Sequence, residues 1–143
     1  MSNTSKAISQ QEYSQAIGSL MYAMTSTRPN IAYAVGRLIR FTCNPGVQHW
    51  QAVQRVFRYL KGTMNFALCY LGYPSILEGY SNACWISNGE DHSSTIGWVF
   101  LFGGGAISWA SKKQTCITNS TMESEFVALA AAGIEAEWFR NLI

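Results

Sequence analysis

At Gly62 the hydrophobic rhythm of this chain changes, and no single repeating architecture spans the break. Before it, apolar residues recur at helical spacing in three stripes. The first is Tyr13, Ile17, Leu20, Met21 and Met24; the second is Ile31, Val35, Leu38 and Ile39; the third is Trp50, Val53, Val56, Phe57 and Leu60. A stripe of period 3.6 marks a helix that buries one side. Arg28-Pro29 interrupts the first stripe, and Pro29 suits the opening position of a second helix. Asn44-Pro45-Gly46 reads as a turn. Lys61-Gly62, a cation in the last turn followed by glycine, reads as a helix stop. After Gly62 the texture is aromatic, β-branched and glycine-punctuated. Phe66–Leu71 and Ile76–Ile86 flank Gly72-Tyr73-Pro74, predicting strand, turn and strand. Thr95–Phe102 and Ala106–Ser111 flank Gly103-Gly104-Gly105, predicting a hairpin. The glycine triplet has no following Lys-Ser/Thr, so a phosphate-binding loop is not the reading.

Ser120 to Ile143 predicts one long helix. Ser120 and Glu123 have capping-box spacing, and Ala128–Ala132 is strongly helix-favouring. Glu125, Leu129, Ala132 and Ala136 fall on one side of it, while Glu123 lies about 200° away at ~100° per residue. A carboxylate on a packing side needs an ion pair or a metal to justify it.

Hydrophobic residues are 48% of the chain and charged residues 13%, which excludes a disordered polyelectrolyte. The charges are unevenly placed. Residues 1–73 carry Lys6, Arg28, Arg37, Arg40, Arg55, Arg58 and Lys61 against Glu12 alone; residues 74–143 carry three cations and seven acids. This asymmetry predicts two modules, 1–73 helical and 74–143 sheet-bearing. A basic surface suits a polyanion, and an acidic pocket suits divalent cations. The spacing of Arg37, Arg40, Arg55, Arg58 and Lys61 fits a nucleic-acid contact and an ordinary solvated face equally well.

Cys43, Cys69, Cys84 and Cys116 form no C-x-x-C pair, so free thiols in a reducing compartment are expected. The polar N-terminus lacks the apolar core of a signal peptide, which predicts an intracellular protein, cytoplasmic or nuclear. Residues 93–111 are uncharged, but serines and glycines interrupt them, and a hairpin is expected rather than a membrane span. His49, beside Trp50 at a helix start, suggests a capping role. His92 falls in a polar stretch read as a loop.

Five segments in order carry a family resemblance: YSQAIGSLMYAMTSTRPNIAYAV, NPGVQHWQAVQRVFRYLKGT, GYSNACW, STIGWVFLFGGGAISWASKKQ and STMESEFVALAAAGIEAEW. From about Tyr13 to Ile143 the chain resembles the C-terminal part of the Pol polyprotein of copia-type LTR retrotransposons. The resemblance is to the end of reverse transcriptase and the first half of ribonuclease H. It implies an α+β fold, with a helical thumb-like module followed by a truncated ribonuclease H-like mixed sheet and its first helix. An exposed sheet edge and self-association through it are then expected.

The resemblance also assigns residues. In relatives GYSDADW carries a catalytic, metal-binding Asp at the position of Asn82, and a second Asp at the position of Cys84. The second Glu of their STEAEY is a further catalytic carboxylate, at the position of Glu125. Two more acids normally follow, beyond Ile143, and nothing here matches a YxDD polymerase element. The family uses Mg²⁺ on RNA–DNA hybrids. Two ions roughly 3.5–4 Å apart need several carboxylates to hold them. Asparagine brings no charge and cysteine is a soft ligand. The expectation is therefore a catalytically degenerate fragment with no tightly bound Mg²⁺. The alternatives are a nucleic-acid-binding remnant using the basic helices and a ribonuclease H completed by another chain.

Overall fold

The computed structural model describes residues 8–88 and 93–143. The architecture is α+β. The chain divides into two compact units, one extending to Ala67 and the other from Leu68 to Ile143.

The first unit is helical: α1 (Gln10–Ser26), a 3₁₀ turn (Pro29–Ile31), α2 (Ala32–Ile39) and α3 (Val47–Gly62). Ser9 caps α1 by accepting the Glu12 amide, and Pro29 opens the 3₁₀ turn rather than α2 itself. His49 takes the capping role at the start of α3. Its Nδ1 accepts the Gly46 N–H at 2.9 Å, and its ring stacks on Phe41 with centroids 3.8 Å apart. The three stripes meet in one core of Tyr13, Ile17, Leu20, Ile31, Val35, Leu38, Val53 and Val56.

Tyr13 is fully buried, yet its hydroxyl is satisfied by donating to the Leu38 carbonyl at 2.9 Å, near the end of α2. Burial pushes its pKa above the ordinary tyrosine value. The neutral phenol is thus favoured in the folded state, so this stabilisation is complete below pH 10 and is lost as pH rises through the folded-state pKa. Tyr13→Phe removes this bond while the Leu38 carbonyl keeps the Phe41 N–H at 3.1 Å, and should cost about 0.5–1.5 kcal/mol. Urea titrations at neutral pH and above pH 10 check both points: the variant should be weaker at neutral pH and should lose less stability on alkalinisation.

The second unit is a three-stranded sheet with one helix. β1 (Glu78–Asn88), β2 (Ser93–Phe102) and β3 (Gly105–Lys113) pair in the order β1-β2-β3, antiparallel throughout. The expected mixed sheet is corrected here. A parallel neighbour needs a crossover connection, whereas these consecutive strands pair directly with one another. Gly103 and Gly104 sit at φ +59° and +81°, the left-handed pair that a two-residue hairpin turn demands. Gly105 serves differently: a Cβ there would lie 2.5 Å from the Tyr70 ring.

That contact explains a second correction. Phe66–Leu71 is not a strand. Leu71 N–H donates to Gly103 O at 2.8 Å and Tyr70 OH to Ala106 O at 2.8 Å. The segment is stitched to the hairpin tip by single contacts, and its apolar side chains other than half-buried Leu68 stay exposed. Gly105→Ala should therefore displace Tyr70 and cost about 1–3 kcal/mol, seen as a lower denaturation midpoint of the sheet unit.

The helix α4 (Thr121–Leu142) lies across β1 and β2. Phe100 on β2 meets Ala132 and Phe139, with the two phenyl rings 5.5 Å apart. The buried positions are Ser124, Ala128, Ala132 and Phe139, while Leu129 is 58% exposed. The face expected from Glu125, Leu129, Ala132 and Ala136 is thus rotated. Small residues at 124, 128 and 132 allow the helix to approach the sheet closely, and the larger Leu129 cannot fit there. A polar lock holds the arriving chain. The buried Gln114 donates its side-chain amide to Ser124 O at 2.8 Å, and its own N–H to Ser94 O at 2.9 Å. The Ser94 hydroxyl meets that of Thr118 at 3.3 Å.

Candidate functional site

Residues 78–84 of β1 pair one to one with residues 101–95 of β2. Side chains alternate, so Gly79, Ser81 and Ala83 share the face of Phe100, which α4 covers. Asn82 and Cys84, opposite Gly97 and Thr95, share the other face and are exposed, as the strand period requires.

Glu125 reaches this strand from α4. Ser120 caps the helix by accepting the Glu123 amide at 3.2 Å. The Glu123 carboxylate reaches back to the Asn119 N–H, one residue before the cap. One turn into the helix, exposed Glu125 accepts the Ala83 N–H through Oε2 at 3.0 Å. That amide belongs to the peptide bond joining Asn82 to Ala83. The carboxylate thus comes to the main chain at the Asn82 position. The bond also shows that Ala83 points its N–H away from β2, towards the open edge.

Sequence reasoning missed Glu78, which lies on the face of Asn82. Its Oε2 accepts the Tyr80 hydroxyl at 3.1 Å. This hydrogen bond and the negative charge raise the Tyr80 pKa. Four residues of strand separate Glu78 from Asn82, roughly 13 Å, too far to share an ion. Its alternation with Tyr80 and Asn82 was the available signal.

The donor set does not fit a pair of Mg²⁺ ions. It offers one carboxylate already holding a main-chain amide, one neutral amide and one thiol. Among the described residues no three His, Cys, Asp or Glu side chains group to hold a metal. His92 lies outside the described residues.

The basic residues separate into two sets. Arg55, Arg58 and Lys61 are exposed along α3, opposite the buried Val53 and Val56. Arg58 Nε donates to Gln54 O at 3.4 Å. No acid occurs in α3 to neutralise the three cations. Arg37 and Arg40, at the end of α2, are half-buried, and Arg40 Nη1 is buried without a hydrogen-bond partner. No described helix is long and apolar enough to cross a membrane.

The folded class is thus a two-unit α+β chain bearing a basic helical face and a carboxylate at a sheet edge. No family model and no solved structure matches it. Among curated proteins it is 47% identical over 131 residues to the retrovirus-related Pol polyprotein from transposon TNT 1-94 of Nicotiana tabacum. It is 39% identical over 133 residues to that from transposon RE1 of Arabidopsis thaliana. Each match takes in 92% of this chain, which spans only about a tenth of either polyprotein. It is also 43% identical to the secreted RxLR effector protein 161 of Plasmopara viticola, over 88% of this chain and 89% of the effector. The chain belongs to the family that joins this effector to the retrotransposon Pol polyproteins.

Proposed function

We infer that the chain is a Pol segment of the reverse transcriptase–ribonuclease H region that binds RNA–DNA hybrid or other nucleic acid without cleaving it. The observation that carries this reading is the exposed Arg55–Arg58–Lys61 face, laid along one helix with no acid in it. Such a face meets phosphates and releases their counterions. Neutral Asn82 and soft Cys84, in place of two acids, support the loss of hydrolysis. The four exposed free cysteines support action inside the cell, in cytoplasm or nucleus.

Fluorescence anisotropy with a short labelled hybrid tests the binding. Affinity should fall steeply with salt, and binding that ignores salt would remove the reading. A second reading, retained ribonuclease H chemistry completed by another chain, is favoured by one contact, Glu125 on the Ala83 amide. Incubation with Mg²⁺ and labelled hybrid decides between them. The expected result is intact hybrid, and cleavage that disappears in Glu125→Ala would establish the second reading instead.

A further inference from the structure

We propose that the Phe66–Ala67 peptide bond is a processing site, where an endoprotease that selects a large apolar side chain parts the helical core from the sheet. The inference is independent of nucleic-acid binding.

A protease takes its substrate as an added strand, so it needs exposed main chain whose N–H and C=O groups are unpaired. Residues 64–67, the last of the first unit, are four exposed positions in a row, with Met64 exposed by 73% and Phe66 by 64%. They follow α3 and belong to neither helix nor strand. Their one main-chain tie is the Phe66 N–H, which donates to Thr63 O at 3.0 Å. The N–H groups of residues 67–70 have no partner among the described residues. Neither Met64 nor Phe66 joins a core. Such a stretch opens without disturbing anything packed.

The neighbouring bonds are poorer substrates. Met64–Asn65 lies inside the turn that the Phe66 N–H closes. Tyr70 is anchored through its hydroxyl on Ala106 O and by its ring beside Gly105, and the next N–H, of Leu71, is held by Gly103 O. Tyr73 is followed by Pro74, which has no N–H to offer an added strand. Other exposed aromatic side chains, such as Tyr22, Tyr59, Phe126 and Trp138, stand on helices that must open before they can be cut.

Hydrolysis adds water across the bond between the Phe66 carbonyl carbon and the Ala67 nitrogen. It leaves a carboxylate on Phe66 and an ammonium on Ala67. Both cores stay whole, since they share no residue. The cut also sorts the charges. Residues 1–66 carry seven cations and one acid, and residues 67–143 carry three cations and seven acids. A chain of net charge +2 thus yields one cationic and one anionic product.

Brief digestion of the full chain with a trace of chymotrypsin, read by intact-mass spectrometry, provides the test. The expected first event is a single cut after Phe66, with both products accumulating and resisting further digestion. Phe66→Asp should slow that cut by about tenfold or more, as loss of the side chain that fills an apolar pocket does. Ala67→Pro keeps the phenyl ring and removes only an N–H without a partner, and should slow the cut as much. Circular dichroism of both variants should match the wild type, because both side chains are exposed. A first cut elsewhere in the chain would overturn the proposal, as would products degraded as fast as they form, or an unchanged rate in either variant.

Discussion

Replacing Arg55, Arg58 and Lys61 together by glutamine is expected to weaken binding to an RNA–DNA hybrid about a hundredfold at low salt. A unit charge near a phosphate in water is worth ~1 kcal/mol at 4 Å, and three such contacts sum to ~3 kcal/mol. The slope of log affinity against log salt should also flatten by about 3, since each lost phosphate contact removes roughly 0.9. The fold is not at stake. All three side chains project away from Val53 and Val56, and none bonds to the core. Anisotropy across a salt series reads both quantities at once. Unchanged affinity with a fully helical variant would show that the basic face of α3 is only solvated. Single reversals at Arg37 and Arg40 should have a mixed effect, because their half-buried guanidinium groups also pack against the helical unit.

Leu20→Ala is expected to unfold the helical unit and leave the sheet unit standing. Leu20 is fully buried at the centre of the first core, where truncation costs about 2–5 kcal/mol. A unit of this size buries a small core and has little stability in reserve. The second core, around Phe100, Ala132 and Phe139, shares no residue with the first. Tryptophan placement makes the separation measurable. Trp50 flanks the first core, whereas Trp85, Trp98, Trp109 and Trp138 belong to the sheet unit. Far-ultraviolet ellipticity should fall by the contribution of α1–α3 while a cooperative transition of the sheet unit survives. A single joint loss of both units would contradict the division.

The helical unit could be read almost residue by residue, because its apolar stripes, Pro29 and Lys61-Gly62 act locally. The Gly103-Gly104 turn was legible for the same reason: only one local conformation suits it. Long-range geometry was hidden. Phe66–Leu71 has the composition of a strand, but its main chain meets the hairpin tip through Leu71 instead of a neighbouring strand. On α4, hydrophobicity drew attention to Leu129, whereas close approach to β1 selected Ser124, Ala128 and Ala132. Glu125 stood out as an acid on a helix that packs. Its partner, the Ala83 amide, carries no sequence signature at all, since every residue except proline has one.

The lock around Gln114 has a consequence for how such a sequence ages. Gln114 joins the end of the hairpin to the start of α4 through one side chain. A single drift at this codon would undock the helix from its bed while hairpin and helix each stayed formed. Erosion would then arrive as loosening long before it arrived as collapse.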